Sequence, residues 1–208
     1  MRVPINWLHV QAFCEYQIYL AHVKGAKAGL PIKQEALDGR MAHEALHDAE
    51  IATSDDLTSS IEELSTKAAT GIISSRREVL VKGKRCIGSI DEVQITKEYV
   101  FIIDDKPNHA EGEPAHYGDM RQVQAYGLAF RETYNVPLPI TVVIRDRDTG
   151  KWAWQKLLTR KDVEEVNATL DRIFNILDES QPAMPTRNPK KCARCEWRMV
   201  CDKCAVVV

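Results

Sequence analysis

The sequence predicts a mixed α/β fold in which helices flank a central β-sheet. Two observations predict it: the first third of the chain is patterned for helices, and the character changes after Gly71 to short apolar strands. A helix between strands and a long amphipathic helix after them complete a layered α/β arrangement. The whole chain is expected to form one domain.

The helical part begins with apolar residues spaced from Trp7 to Leu20, which indicate an amphipathic helix before a break at 25–31. A second helical pattern covers 32–50, and a short third helix covers 54–64 after a capping serine. We expect residues 1–70 to form this helical part.

The core is expected over residues 71–180. Strands predicted from β-branched residues and tight turns cover 77–83, 85–97, 98–106, 137–146 and 152–158. Helices are predicted over 120–135 and 162–180. A proline-rich linker then leads into a cysteine cluster, so residues 181–208 are expected to be linker and cluster.

Composition is that of an ordinary globular protein, with 44% hydrophobic and 28% charged residues among 208. The apolar runs are too short to cross a bilayer, and the first residues lack the apolar segment of a secretory signal. We therefore expect a cytoplasmic protein without membrane contact. The net charge of −2 means that any nucleic-acid binding must come from a local basic patch.

A carboxylate–lysine pair stands at the end of the third predicted strand. In an extended strand, Asp104 and Lys106 project from one face and Asp105 from the other. Asp91, on the neighbouring strand of the hairpin, can bring a second carboxylate to the same point. Hard oxygen ligands favour Mg²⁺ or Mn²⁺, and an adjacent lysine stabilises negative charge on a phosphate.

Two further patterns lie on predicted helices. Gln122 and Tyr126 are four residues apart and share a helix face, where they can contact a substrate near the metal. His43 and His47 form an H-E-x-x-H pattern, which on a helix is typical of zinc peptidases. The peptidase interpretation needs a third ligand that no surrounding motif supplies.

The cysteines indicate a metal centre more than disulfides, because four of the six fall within thirteen residues near the end of the chain. Two ligand sets remain open. Cys192, Cys195, Cys201 and Cys204 can hold zinc by themselves, whereas Cys14 with the first three can hold an iron–sulfur cluster. Cys86, alone on a strand, is expected to be a small buried residue.

Four motifs follow one another along the chain: G-R-x-x-H ending at His43, G-x-x-D ending at Asp91, D-x-K from Asp104 to Lys106, and Q-x-x-x-Y from Gln122 to Tyr126. In this order they resemble the PD-(D/E)XK nucleases of the RecB type, which have a restriction-endonuclease-like core. One cysteine before the core and a C-x₂-C-x₅-C after it resemble the CRISPR-associated RecB-like exonucleases of the adaptation stage.

The resemblance implies roles for these positions. The metal ligands would be His43, Asp91, Asp104 and the backbone carbonyl of Asp105, with Lys106 as the catalytic lysine and Gln122 and Tyr126 as substrate-positioning residues. Cys14, Cys192, Cys195 and Cys201 would bind a 4Fe–4S cluster that ties the N-terminal helix to the C-terminal tail.

The resemblance also implies an activity: a Mg²⁺- or Mn²⁺-dependent exonuclease that degrades single-stranded DNA from its 5′ end and processes spacer precursors. The CRISPR integrase complex and further copies of the chain would be its partners. Pro107 departs from the small polar residue that often follows the lysine, and Glu78 is a candidate extra carboxylate. The alternatives are a RecB-like nuclease of DNA repair or recombination and a non-catalytic, zinc-bearing interaction module.

Overall fold

The computed structural model describes residues 1–28, 54–71, 73–107 and 115–205, and for 54–60 it describes the helical backbone alone. The strands are β1 Val3–Pro4, β2 Ser74–Lys82, β3 Cys86–Ile95, β4 Val100–Lys106, β5 Ile140–Asp146 and β6 Trp152–Leu157. The helices are α1 Asn6–Cys14, α2 Tyr16–Ile18, α3 Ser54–Ala69, α4 Tyr117–Tyr134, α5 Arg160–Leu177 and α6 Pro189–Ala193, with a π-helical turn at Tyr19–Val23. The helix predicted over 32–50 lies outside the described residues.

The six strands of the described residues form one mixed sheet, which confirms the predicted central sheet, although β1 was not among the five predicted strands. β2, β3 and β4 form an antiparallel meander, β5 pairs with β4 in parallel, and β6 returns antiparallel to β5. The short β1 pairs in parallel with the start of β3, at Cys86 and Ile87. The sheet is mixed because α4 carries the chain back to the start of β4, which is the crossover that a parallel neighbour needs.

The helix α4 is the central helix of the fold. It contacts strands from β2 to β5, and α1 and α5 pack against it in turn. Twelve of the thirteen residues from Gly118 to Phe130 are buried, and the exception is Met120. Most of this helix is therefore shielded from water. A Cβ at Gly127 would lie 3.0 Å from Val142 and 3.1 Å from Leu158, so the glycine lets the helix lie close to the sheet.

The core is formed by β-branched residues on the inner faces of the strands and by apolar residues of the helices. Ile90, Ile102 and Ile144 are fully buried on three neighbouring strands, and Val123 and Leu170 meet them from α4 and α5. Cys86 belongs to the same core with 1% of its surface exposed, so the prediction of a small buried residue is confirmed.

Element boundaries differ from the prediction where prolines and caps decide them. β5 begins at Ile140 rather than at Pro137, because a proline has no N–H to give to a strand ladder. α4 begins at Tyr117, three residues before its predicted start, and ends at Asn135 in the left-handed conformation with a φ of 49°. In the described part of the chain, no helix is long and apolar enough to span a membrane.

The start of α5 is fixed by a reciprocal cap. The Thr159 side chain accepts a hydrogen bond from the Asp162 backbone N–H, and the Asp162 carboxylate accepts one from the Thr159 backbone N–H at 2.9 Å. Asp162 is also paired with Lys156 of β6 at 2.6 Å. The cap therefore links the helix start to the edge strand of the sheet.

Replacing Thr159 with alanine is expected to lower the free energy of unfolding by about 1 kcal/mol, because the first turn of α5 loses its cap. Urea unfolding followed by circular dichroism measures this. Thr169→Ala makes the same chemical change inside the same helix, where Thr169 bonds only to the carbonyl of Glu165, and should leave stability nearly unchanged. Equal losses in the two variants would contradict the assignment of the cap.

Candidate active site

Four of the predicted site residues meet at the end of β4. Lys106 Nζ lies 3.0 Å from Asp104 Oδ2 and donates a hydrogen bond to Gln122 Oε1 at 3.1 Å. The carboxylate of Asp91, on β3, accepts a hydrogen bond of 2.6 Å from the backbone N–H of Asp105. Adjacent strands and the first turns of α4 therefore bring together two carboxylates, a lysine and an amide.

Tyr126 completes this group from the next turn of α4. Gln122 is one of its hydrogen-bond partners, and burial, followed by the charge of Asp104, raises the pKa of the phenol well above its ordinary value. The ring packs on Gly88 of β3, where a Cβ would lie 2.9 Å from its Cε1 atom. This contact gives a physical reason for the glycine in the G-x-x-D motif.

The site holds its charges away from water. Asp104 is 3% exposed, and burial raises the pKa of its carboxyl, with Asp119 and Asp105 adding to the effect and Lys106 opposing it. Burial alone would lower the pKa of Lys106, but the charges of Asp104 and then Asp119 outweigh it, so the pKa is raised. Lys106 is therefore an ammonium group among acidic residues.

The Asp104 carboxylate is buried with one charged partner. Its Oδ2 atom is fully buried and forms an ion pair of 3.0 Å with Lys106 Nζ. A buried carboxylate is costly unless such a partner, or a bound cation, compensates its charge. Together with Asp91 it supplies the hard oxygen donors that Mg²⁺ or Mn²⁺ prefers.

Asp105 points away from this group, as the pleat predicts. Its carboxylate accepts hydrogen bonds from Arg145 Nε at 2.6 Å and from Arg77 at 3.0 Å, on the opposite face of the sheet. Arg145 also pairs with Glu92 at 2.7 Å. The side chain thus belongs to an ion-pair network, and its carbonyl oxygen accepts a hydrogen bond from Arg147 at 3.2 Å. Metal ligation by that carbonyl stays a prediction.

Glu78 lies on β2 in a strained conformation beside the site. Its φ is 52°, which is uncommon for a residue with a side chain inside a strand. The backbone register of β2 and β3 passes from Arg77–Glu92 to Val79–Ile90, so the ladder is interrupted at Glu78, across from Asp91. Ser89 Oγ donates a hydrogen bond to the Glu78 carboxylate at 3.2 Å. Such strain often occurs at functional sites.

The structure adds two residues that sequence reasoning missed. Asp119 lies on α4 and is 4% exposed. Its negative charge raises the pKa of both Asp104 and Lys106. His9 of α1 places Nδ1 2.9 Å from Asp119 Oδ1. The predicted helix began at residue 120, three residues after the observed start at Tyr117, so Asp119 fell outside it. Its spacing of three and seven residues from Gln122 and Tyr126 is nevertheless the signal of a shared helix face.

His43 and His47 lie outside the described residues, so ligation by His43 stays a prediction. Within the described ranges, no three His, Cys, Asp or Glu side chains stand in the arrangement of an assembled metal site. The donors at the end of β4 still fit a divalent cation in chemical type, because the carboxylates of Asp91 and Asp104 supply hard oxygen atoms at neighbouring points of β3 and β4.

The cysteines gather on one small cavity at the other end of α1. Cys14, Cys192, Cys195, Cys201 and Cys204 all line it, and none of them is in a disulfide. Burial raises the pKa of the Cys195 and Cys201 thiols. The five thiols share one cavity, but among the described residues no three of them stand in the arrangement of an assembled metal site. Ligation of a metal or cluster by these cysteines stays a prediction, and both four-cysteine sets stay open.

Contacts other than sulfur also fasten the tail to the N-terminal helices. Lys191 Nζ donates hydrogen bonds of 3.0 Å to the carbonyls of Ala12 and Phe13, in the last turn of α1. The Tyr16 hydroxyl donates to Asp202 at 2.7 Å. Backbone and side-chain N–H groups also point at sulfur, from Thr186 to Cys14 and from Gln17 to Cys195.

The ion-pair network around Asp105 should make the free energy of unfolding depend on pH in the acid range. Burial raises the pKa of Asp105, but the hydrogen bonds and charges of Arg145 and then Arg77 outweigh it and lower the pKa below the ordinary value of 3.8. A lowered pKa stabilises the fold above pH 4, and this contribution is lost as the pH falls through the folded-state value.

Arg145→Gln should therefore cost on the order of 3 kcal/mol of unfolding free energy at pH 7, because it leaves Asp105 and Glu92 buried with fewer partners. It should also flatten the loss of stability between about pH 4 and pH 2. Chemical unfolding at a series of pH values measures both effects. Arg160→Gln, in an exposed pair with Glu164, is the control, and parallel pH profiles for Arg145→Gln and the unaltered protein would contradict the prediction.

No curated protein sequence matches the chain. Among solved structures, SSO0001 is 15% identical, with a TM-score of 0.43 over 84% of this chain and 73% of that one. A protein from Eubacterium rectale named "Putative exonuclease" is 12% identical, with a TM-score of 0.49 over 87% of this chain and 80% of that one.

The sequence profile of the PD-(D/E)XK nuclease superfamily matches residues 63–202. This range covers more than half of the 208 residues, from α3 through the whole sheet after β1 to three of the clustered cysteines. It includes Asp91, Asp104, Lys106, Gln122 and Tyr126. The chain therefore belongs to the PD-(D/E)XK nuclease superfamily.

Proposed function

We propose that this protein is a Mg²⁺- or Mn²⁺-dependent exonuclease that hydrolyses single-stranded DNA from the 5′ end. The observation that carries the proposal is the group of Asp91, Asp104, Lys106 and Gln122 at the end of β4, in which the buried Asp104 carboxylate forms an ion pair of 3.0 Å with Lys106. Membership of the nuclease superfamily supports phosphodiester hydrolysis as the reaction.

The proposed role of each residue follows from its functional group. Asp91 and Asp104 would hold the cation together with His43, and a bound cation would lower the pKa of a water ligand and screen the phosphate charge. Lys106 keeps its positive charge among carboxylates, so it can stabilise the negative charge that develops on the phosphate oxygens. Gln122 accepts a hydrogen bond from Lys106 and holds the ammonium group in place.

Single-stranded substrate, 5′ polarity and the processing of spacer precursors are the finer part of the proposal. They rest on the resemblance to CRISPR-associated RecB-like exonucleases, which is carried by the four ordered motifs and the split cysteines. The partner is then the CRISPR integrase complex. A chromosomal neighbourhood that encodes the integrase supports this setting, whereas a genome without any CRISPR array assigns the enzyme to repair or recombination.

We further propose that Cys14, Cys192, Cys195 and Cys201 bind a 4Fe–4S cluster. Thiolates are the usual ligands of such clusters, and these four side chains line one cavity between α1 and the tail. The cluster would join elements that are already fastened by Lys191 and Tyr16. Its role is therefore structural, and it lies apart from the carboxylates at the end of β4.

Asp104→Asn should abolish DNA cleavage while leaving the fold intact, because the amide keeps the shape but removes a charged metal ligand. A loss of about 100-fold or more in the cleavage rate is expected. The assay uses single-stranded DNA labelled at either end, with Mn²⁺ or Mg²⁺ and anaerobically purified protein. Asp148→Asn, on an exposed turn, is the matched control.

Linear and circular single-stranded substrates in the same experiment test the exonuclease activity and its polarity. Progressive release of short products from the 5′ end, with circular single strands resistant, supports the proposed exonuclease. Cleavage of circles, or shortening from the 3′ end, would contradict the polarity. Equal cleavage by Asp104→Asn and the unaltered protein would contradict the proposed site.

Two serine substitutions separate the possible sulfur centres. Cys14→Ser should remove the brown iron absorbance and most of the iron, whereas Cys204→Ser should retain both. Iron analysis and absorption spectra of anaerobic samples measure this without reference to activity. A colourless protein that contains zinc, loses it in Cys204→Ser and keeps it in Cys14→Ser would overturn the iron–sulfur assignment.

A further inference from the structure

Arg147 stands one residue beyond β5, at the strand end that carries the candidate active site, and the proposed mechanism does not use it. The parallel register of β4 and β5 places its neighbour Asp146 beside Lys106. The backbone N–H of Arg147 donates a hydrogen bond of 3.0 Å to the carbonyl of Lys106. The backbone of Arg147 is therefore bonded directly to the last residue of β4.

The side chain of Arg147 contacts the same strand. Its guanidinium donates a hydrogen bond of 3.2 Å to the backbone carbonyl of Asp105, one residue before Lys106. A guanidinium has five N–H donors in a planar fork. Within the described ranges, this is the hydrogen bond that the guanidinium makes, so further donors are available to another acceptor at the end of β4.

The charge of Arg147 is not compensated as the charges of neighbouring arginines are. Arg145 pairs with Asp105 at 2.6 Å and with Glu92 at 2.7 Å, and Arg77 pairs with Asp105 at 3.0 Å. Arg147 is exposed, and no carboxylate in the described part of the chain pairs with it. The ends of β4 and β5 therefore present an unpaired positive charge to solvent beside the candidate site.

The turn after β5 fixes the backbone from which this side chain extends. Asp146 Oδ1 accepts hydrogen bonds from the Thr149 backbone N–H at 2.8 Å and from its hydroxyl at 2.7 Å. The Asp146 carbonyl accepts another from the N–H of Gly150 at 2.8 Å, and Gly150 has a left-handed φ of 69°. A guanidinium held on a fixed turn loses less conformational freedom on binding an anion than one on a mobile loop.

The functional group of Arg147 indicates the class of ligand. A guanidinium binds phosphate through parallel N–H···O bonds, and the proposed reaction brings a chain of phosphodiesters to the end of β4. We propose that Arg147 binds a backbone phosphate of the DNA strand next to the scissile phosphate and so positions the strand over Asp104 and Lys106. The inference rests on the proposed nuclease function and deepens it with a substrate contact outside the four motifs.

Arg147→Gln should raise the KM for single-stranded DNA about 10-fold and change kcat little, because a hydrogen bond to a charged group is lost equally from the bound substrate and the transition state. Arg147→Lys keeps the charge without the fork and should give a smaller rise. Arg131→Gln is the matched control, since Arg131 is exposed at the far end of α4 and has no ion pair among the described residues.

The concentration of Mn²⁺ that gives half-maximal activity should be the same in all of these variants, because Arg147 is not proposed to bind the cation. A changed Mn²⁺ requirement in Arg147→Gln with an unchanged KM for DNA would overturn the proposal and assign the residue to the metal site. A fall in kcat alone would also overturn it.

DNA binding without cleavage tests the charge directly. Fluorescence anisotropy of labelled single-stranded DNA is measured without added divalent cation over a series of salt concentrations. In Arg147→Gln, the slope of log K against log salt should be shallower by about 0.7, the value for one single-strand phosphate contact. Arg147→Lys should keep the slope. Since phosphate contacts carry no base information, DNA of different sequences should show the same change.

An unchanged slope in Arg147→Gln, a loss confined to one base sequence, or no DNA binding by the unaltered protein would overturn the phosphate contact. Arg147→Ala should repeat the result of Arg147→Gln, and thermal unfolding identifies any loss that comes from unfolding. A protein that binds DNA with the Arg147-dependent slope and cleaves none would instead contradict the proposed function and leave the contact standing.

Discussion

The burial of Asp104 and Lys106 side by side at the end of β4 is the constraint on which the rest of the site depends. Two charged groups taken out of water lose hydration that their mutual attraction only partly restores. The pair lies beside a second buried carboxylate, that of Asp91 on β3. A folded protein tolerates such an arrangement where function requires it, and Gln122 of α4 supplies part of the compensation by accepting a hydrogen bond from Lys106.

The charged side chains on the two faces of β4 have different surroundings. On one face, Asp104 and Lys106 stand among groups that leave acidic oxygen atoms for a cation. On the other, Asp105 is fully occupied by Arg145 and Arg77, which lowers its pKa and removes its side chain from metal chemistry. The backbone N–H of Asp105 bonds to Asp91, so the network behind the sheet also helps to fix the strand that carries the site.

The N-terminal helix connects two separate centres. At one end of α1, His9 contacts Asp119 beside the carboxylates, and at the other end Cys14 lines the cavity of the clustered cysteines. Lys191 and Tyr16 hold the tail against the same helical segment.

The sequence by itself determined the order of the elements and the residues that share a face, because both follow from short-range periodicity. The meander, the α4 crossover, the opposite directions of Asp104 and Asp105, and the shared face of Gln122 and Tyr126 were all predictable in this way. Helix and strand ends were less predictable, since the backbone hydrogen bonds at Thr159 and Asn135 and the missing N–H of the prolines before Ile140 set them.

Only the tertiary structure decided which distant residues meet. His9 reaches Asp119 because Gly118 lets α1 approach α4, and Arg145 reaches Asp105 because the parallel register of β4 and β5 places them side by side. The positive φ of Glu78 and the common cavity of five cysteines likewise depend on packing between elements far apart in the chain. Such contacts arise from strand register and helix docking, which local residue patterns do not encode.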